Sequence, residues 1–531
     1  MGRVLVTEPL DDAGLQVLAA AHEVVTADGM PLEELLARIP EFDALIVRSA
    51  TQVTRPVLEA GRRLRVVGRA GVGVNNIDVE AATERGIVVV NVPDGNTVAA
   101  TEQTFALLLA LARHTADAVA SLRAGKWDRH AFVGTELRGK TMGIVGLGRI
   151  GREVGQRAQA FGMDVCGYDP FLPAERAEAL GIHFLPLEDV LRAADVVTVH
   201  TPLTPETRGM IGERELRLMP AHAFLLNCAR GGIIDEEALY RVLTAGHLGG
   251  AALDVYAEEP ATANPLIQLP NVVATPHLGA STREAQSVSA LEVARYVCAV
   301  LAGDPVQTAV NLPALSQQDW EVAEPVVRLG ELLGRLAVQG LGVRLGDVEV
   351  RSAELPGRGG EWVTSSVLQG MLAHAVDDVV NLVNARSLAQ ASGMRVTYAE
   401  SRETPARSLL VRVGSGREQH ALAGHVQPDG SLRLTELEGM PVDISPSRYM
   451  LVTRHQDRPG LIGHVGSILG ASGVNIAAMV VGRRAARGSA VMVLSVDEEV
   501  PAAALSELRS LPNVAGVRPV VLPEALVHNG H

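Results

Sequence analysis

The chain has 531 residues, 47% of them hydrophobic but only 3% aromatic, so its cores are built from Ala, Val, Leu and Ile, the material of parallel sheets buried under helices. That length exceeds a single hydrophobic core and predicts three or four domains. A formal net charge of −14 without a dense Lys/Arg block excludes a nucleic-acid or anionic-membrane surface; the scattered Cys166, Cys228 and Cys298 exclude a disulfide framework or CxxC zinc site and fit a reducing cytoplasm.

No charged leader precedes the first strand-like run, and the longest apolar helical stretch, 105–112, is too short to span a bilayer, so a soluble, unprocessed chain is expected. Strand-like runs then alternate with helical patterns: 4–6 and 13–21, 22–25 and 32–38, 44–47 and 56–60, 64–67 and 79–85, then 87–90. This alternation predicts a parallel doubly wound sheet. One long helix is predicted over 97–123, a buried interdomain spine rich in Phe105, Leu107, Leu108, Leu109 and Leu111. From Lys140 the alternation restarts with a strand at 142–145, GLGRIG (146–151), a helix to Phe161, and a strand at 164–168 ending in Asp169. Further strands are predicted at 196–200, 223–227, 250–254 and 272–275, with a closing helix over 282–301. Pro305 and Pro313 mark a linker that ends this unit near 312. Residues 316–445 mix strands (343–350, 409–413, 431–437) with a helix at 366–389 and carry no catalytic motif. The tail reads strand 450–453, helix 460–471, strands 475–481 and 489–495, helix 502–510 and strand 514–520, the βαββαβ order of a small ferredoxin-like domain.

The spacing of GLGRIG after a strand assigns each glycine a task. Gly146 permits the turn, Gly148 admits a pyrophosphate to the backbone, and Gly151 lets the helix approach the sheet, while Arg149 and Ile150 offer amides at the helix N-terminus. Asp169, 18 residues beyond Gly151, suits a ribose hydroxyl and would repel a 2′-phosphate, and Pro170, Phe171 and Leu172 supply no arginine, so NAD is expected over NADP. The alternative is a turn that merely needs glycines. A second cluster, Gly68, Gly71 and Gly73 in GRAGVGVNN, opens no long helix. It reads about equally as a structural turn and as one whose amides meet a substrate carboxylate.

Arg230 follows a predicted strand in NCARGG (227–232), where a guanidinium can hold a carboxylate bidentately and polarise a neighbouring carbonyl. His277, in TPHLGAST (275–282) after another strand, is the best proton carrier among 15 histidines, most of which are structural or solvated. A glutamate in DVYAEEP (254–260) can fix the tautomer of that histidine; residue chemistry leaves Glu258 and Glu259 nearly tied. Together these groups fit removal of a proton and a hydride from a 2-hydroxy acid.

The four motifs together resemble the D-isomer-specific 2-hydroxyacid dehydrogenase family over about residues 1–312. The resemblance implies that Arg230, His277 and the glutamate before proline, Glu259, are catalytic. It also implies an α/β fold with two doubly wound parallel-sheet lobes: a flavodoxin-like substrate lobe (1–98 and 285–312) and an inserted Rossmann lobe (99–284). Thr201, Cys228, Ala229, Arg230, Asp254, His277 and Gly279 are brought to the nucleotide, and Arg48, Ser49 and Gly71 to the substrate. Arg129 is implied as a phosphate contact from a neighbouring subunit. Within the family, VRSAT (47–51) and GKWDRHAFVGTEL (125–137) resemble the branch that oxidises 3-phosphoglycerate, for which Arg48, Lys126 and Arg129 supply positive charge. RHQDRPGLIGHVGSILGASGVNI (454–476) resembles an ACT domain, assigned 449–525, behind an α+β intervening domain at 316–445. That tail implies L-serine as effector at His455, Asp457 and Asn475 between paired domains of a homo-oligomer, a dimer or tetramer; an ACT domain kept for oligomer contacts alone is the plainer reading. No metal, nucleic-acid or membrane partner is expected. The rival readings are a dehydrogenase of glyoxylate, lactate or 2-oxoglutarate, and an NAD(H)-sensing corepressor on the same fold, against which the full catalytic set argues.

Overall fold

The computed structural model describes every residue except 305, 377–378, 415–418 and 528–531; the linker mark at Pro305 lies outside the described residues. Strands β1 (Arg3–Val6), β2 (Glu23–Thr26), β3 (Ala44–Val47), β4 (Val66–Arg69) and β5 (Val88–Val90) form a parallel sheet in the order β2-β1-β3-β4-β5. Helices α1 (Asp12–Ala19), α2 (Leu32–Arg38), α3 (Arg55–Ala60) and α4 (Val79–Glu84) make its crossovers. β3 is AlaLeuIleVal and buried throughout, the pattern of a strand covered on both faces.

The spine is two helices, not one: α5 (Thr97–Ala112) and α6 (Thr115–Arg123), bent by 62° at His114, whose φ is +51°. Local propensity runs through the break, since 112–116 contains neither Pro nor Gly. Burial stops there instead: α5 packs Phe105, Leu108 and Leu111 into the nucleotide-lobe core, α6 buries nothing, and the backbone N–H of Thr135 donates to Ala112 O at 2.8 Å. Among the described residues no single helix is long and apolar enough to cross a membrane; this bent pair passes that test by length and composition, and α5 is largely buried.

The second sheet is parallel and seven-stranded: β6 (Thr141–Val145), β7 (Asp164–Tyr168), β8 (His183–Phe184), β9 (Val196–Val199), β10 (Phe224–Asn227), β11 (Gly250–Leu253) and β12 (Val272–Ala274), in the order β12-β11-β10-β9-β6-β7-β8. Its helices are α7 (Arg149–Ala160), α8 (Ala174–Glu178), α9 (Leu187–Ala193), α10 (Glu213–Leu218) and α11 (Glu236–Thr244). The chain leaves β6 toward β7 and returns beside it as β9, so the topological switch point lies between β6 and β9 at their carboxyl ends. α12 (Arg283–Ala302) then crosses back to the first sheet. Val293 and Val297 press on Gly68, where an added Cβ would lie 2.8 Å from each, and Ala290 O sits 2.6 Å from a Cβ built on Gly14 of α1.

The intervening region departs from the expected elements. In place of one helix at 366–389 there are α14 (Gly359–Leu372) and α15 (Ala385–Ala391), preceded by the unanticipated α13 (Gln317–Arg335). α14 starts at a Gly-Gly pair that reads as a loop, and α13 carries Pro325 mid-helix, where proline ordinarily breaks the hydrogen-bond ladder. The predicted strand at 343–350 starts only at Val348. β13 (Val348–Ser352), β14 (Val396–Glu400), β15 (Ser408–Val413), β16 (His420–Val426), β17 (Leu432–Leu437) and β18 (Met440–Ile444) form a mixed sheet in the order β14-β13-β15-β16-β17-β18. Trp320 of α13 and Trp362 of α14 meet edge to face at 4.9 Å, and the Trp362 indole N–H donates to Pro313 O.

The tail folds as expected: β19 (Tyr449–Gln456), α16 (Leu461–Ala471), β20 (Ile476–Arg483), β21 (Ser489–Val496), α17 (Ala502–Ser510) and β22 (Val514–Val521), with sheet order β20-β21-β19-β22. Its two faces have different fates. Leu451, Met492 and Leu494 pack under α16 and α17, whereas Met450, Val452, Val491 and Val493 join the intervening-domain core.

Candidate active site

The carboxyl ends of both large sheets face one cleft of about 1140 Å³. The first lobe contributes Arg48 and Ser49 after β3, Arg69 at the end of β4, and Gly71, Gly73 and Asn76 after it; the second contributes Arg230, Glu259 and His277. Three motifs that lie far apart in sequence thus meet.

His277 adopts φ +56°, and its Nδ1 lies 2.9 Å from Glu259 Oε2. The other carboxylate oxygen of Glu259 accepts from the Tyr256 amide at 3.1 Å, which orients it. Glu258 enters neither contact. The loop carrying His277 is held by Asp254, fully buried, whose carboxylate accepts from the Thr275 hydroxyl and from the Leu278 and Gly279 amides at 2.6, 2.8 and 2.7 Å. Asp254 and Gly279 are therefore already joined to each other.

Arg230 extends from β10 toward the other lobe; a Cβ on Gly73 would lie 2.9 Å from its Nη2. Burial pushes its guanidinium below the ordinary value and the Glu259 carboxylate opposes that. Arg69, absent from the sequence reading, lines the same wall. Burial, reinforced by repulsion from Arg230, brings it down to about 10, and its Nε donates to Asn76 Oδ1 at 2.9 Å. Two half-desolvated guanidinia that repel each other define a site that gains by receiving an anion. Arg69 was discoverable as the residue ending a strand, but its motif drew notice for glycines. Arg129 lies outside the cleft within one chain, on the exposed segment after α6.

At the switch point of the second sheet the glycine loop has φ +97° at Gly146, where a Cβ would meet His200 O at 2.7 Å. A Cβ on Gly151 would lie 2.0 Å from Gly146 O, whereas one on Gly148 meets nothing within 4 Å. Gly148 is the open approach, and the amides of α7 begin behind it. Thr201 Oγ1 and His200 Nδ1, across the crevice, are buried without a hydrogen-bond partner. Asp169 accepts from the Leu147 and Phe171 amides, both at 2.9 Å, and so ties the glycine loop to the end of β7. The Arg149 side chain pairs with Asp94 of the first lobe, which leaves its backbone for the loop. Cys228 and Ala229 are nearly buried, and burial pushes the Cys228 thiol up to about 12, so it stays protonated. An open glycine approach, orphaned buried polar atoms opposite it and a carboxylate at the end of β7 fit a dinucleotide.

In the tail, His455 is buried beside Thr453 and burial pushes its imidazole pKa down. The Arg487 amide, with the Arg483 guanidinium, holds Asp457 below the usual carboxylate range. Asn475 donates to Asp497 at the other end of the sheet: Tyr449 and Ile476 both pair with Val496, six strand residues or roughly 20 Å from His455. One chain therefore does not bring the three together.

This fold and site define an NAD-binding dehydrogenase. The family model described as D-isomer specific 2-hydroxyacid dehydrogenase, NAD binding domain, matches residues 105–279; the D-3-phosphoglycerate dehydrogenase intervening domain matches 322–438 and the ACT domain 449–513. The D-3-phosphoglycerate dehydrogenase of Synechocystis sp. is 43% identical over 98% of this chain and 94% of its own, and that of Methanocaldococcus jannaschii is 42% identical over 97% and 99%. A D-lactate dehydrogenase from Aquifex aeolicus, solved with NAD and lactic acid, is similar at a TM-score of 0.51 and 27% identity, covering 57% of this chain and 96% of its own. The chain belongs to the D-3-phosphoglycerate dehydrogenase family.

Proposed function

We propose that the chain oxidises 3-phosphoglycerate to 3-phosphohydroxypyruvate with NAD, the first step toward L-serine, under feedback by L-serine. The observation that carries the chemistry is the 2.9 Å His277–Glu259 contact in the same cleft as Arg230. Arg230 binds the substrate carboxylate, and the free imidazole nitrogen of His277 accepts the C2 hydroxyl proton. Glu259 holds the ring with that nitrogen toward the substrate and offsets the charge the ring gains. When bound, NAD supplies the hydride acceptor, held at Gly146, Gly148, Arg149, Ile150, Gly151, Asp169, Thr201, Cys228, Ala229 and Gly279. Arg48 and Arg69 supply the countercharge for the tail phosphate, which a dehydrogenase of glyoxylate, lactate or 2-oxoglutarate would not need. Arg129 reaches that phosphate from a neighbouring subunit of a homo-oligomer.

The separation of His455 and Asp457 from Asn475 supports a serine site composed from two chains, each giving one end of its ACT sheet. Three unpaired cysteines accord with cytoplasmic action. An NAD-reduction assay on a panel of D-2-hydroxy acids, with and without L-serine, tests the whole reading. Turnover of 3-phosphoglycerate well above D-lactate and D-2-hydroxyglutarate, lowered by serine, is expected; no preference for the phosphorylated acid refutes the substrate, and indifference to serine refutes the feedback.

A further inference from the structure

The first sheet has its own switch point, between β1 and β3, which neighbour each other while β1 also pairs with β2 on its far side. The ends of β1 and β3 deliver Thr7 and Glu8 on one side of that crevice and Arg48 and Ser49 on the other. Glu8 is 8% exposed. One of its oxygens accepts from the amides of Arg48 and Thr51 at 2.8 and 2.9 Å, and the other from Ala50 at 3.1 Å. Of four successive amides it takes three and leaves that of Ser49, a cleft-lining residue. The loop is pinned from the other side as well. Asn76 donates to the carbonyls of Arg48 and Thr51 at 2.9 and 2.7 Å while accepting from Arg69, and Thr7 meets Thr51 hydroxyl to hydroxyl at 2.9 Å.

Burial alone would raise the Glu8 pKa, but the three amides outweigh it and hold the carboxylate below its ordinary range. A carboxylate beside a site for a phosphate is otherwise a defect, because its charge repels the ligand. Its position makes sense if its worth lies in shaping the loop. We propose that Glu8 is a positioning residue for the substrate's anionic tail: by clamping the 48–51 loop it presents the Ser49 amide, Arg48 and Arg69 to the phosphate. The proposal rests on 3-phosphoglycerate as substrate.

The two effects of Glu8 have opposite signs, which makes the test decisive. Glu8→Gln, assayed in the full chain, removes the repulsive charge and turns an amide N–H₂ toward backbone N–H donors. Positioning predicts that KM for 3-phosphohydroxypyruvate and the inhibition constant of inorganic phosphate both rise about tenfold or more. Hydroxypyruvate, the same acid without phosphate, keeps its KM within twofold; NADH affinity, read by fluorescence titration, certifies the nucleotide lobe, and circular dichroism the fold as a whole. Glu8→Asp, which keeps the charge but is one methylene too short for all three amides, shows the same loss. Unchanged or tighter phosphate binding in either variant overturns the proposal, as does equal weakening of both substrates. Should the wild-type chain itself not prefer the phosphorylated acid, the substrate reading fails instead.

Discussion

At the scale of single residues the site is a set of short-range restraints on a few reactive groups. Glu259 acts through His277, so Glu259→Gln leaves the ring present but unoriented. We expect kcat to fall about 10²-fold with NADH affinity unchanged, against roughly 10³-fold for His277→Ala, measured by steady-state kinetics and NADH titration. Glu8 gives a pH prediction with a fixed sign. Its folded pKa is depressed, so its contribution to stability is complete above about pH 4.3, where an ordinary glutamate titrates, and is lost as pH falls below that through the depressed value. The melting difference between wild type and Glu8→Gln therefore persists from pH 7 to 5 and shrinks only in stronger acid. Arg230 and His277 were legible because each stands in a distinctive motif soon after a strand, whereas Glu259 was separated from Glu258 only by the family resemblance. Arg69 also ends a strand, but its motif drew notice for glycines; Glu8 was not legible, since its role comes from the packing of β1 beside β3, and no local pattern announces a neighbour forty residues away.

At the scale of elements, strands and helices that serve one buried sheet were readable from composition. β3 is wholly apolar, and β6, the GLGRIG loop and α7 follow the strand–turn–helix pattern closely. The misread elements share a different cause, that tertiary contact overrode local preference. α5 ends where burial ends, at a residue with no breaker nearby, and α14 begins on two glycines because the interior there requires them. A Cβ on Gly360 would lie 2.3 Å from the Tyr398 ring. The same crowding predicts the fate of the nucleotide loop. Gly151→Ala places a methyl 2.0 Å from Gly146 O, backbone that cannot swing aside. NADH binding should weaken at least tenfold while the substrate lobe stays folded, as read by NADH titration and circular dichroism.

At the scale of the whole molecule, the intervening and ACT regions are less separate than their sequence textures imply. One face of the ACT sheet completes the intervening core through Met450, Val452, Val491 and Val493. Contacts with the catalytic part include polar ones, Asn381 donating to Gly86 O at 2.7 Å and Asn384 to Glu84 O at 3.4 Å, beside Leu312, which packs against both cores. Two truncations should therefore behave differently. A chain ending at residue 315 removes both regions together and should retain turnover with no serine response. A chain ending at 446 strips the apolar ACT face from the intervening core and should aggregate, as light scattering would report. Retained solubility of the second would show that the shared core is dispensable.

The packing of Trp320 against Trp362 has a practical spectroscopic consequence. The chain has three tryptophans, and the third, Trp127, is 80% exposed on the segment after α6; none lines the cleft. Red-edge excitation, which selects tryptophan over the cleft-lining Tyr256, thus reports no residue of the same chain's cleft. A red, readily quenched component reports the Trp127 segment and a blue, shielded one the α13–α14 pair, so Trp127→Phe leaves a chain whose tryptophan emission comes from the intervening domain alone.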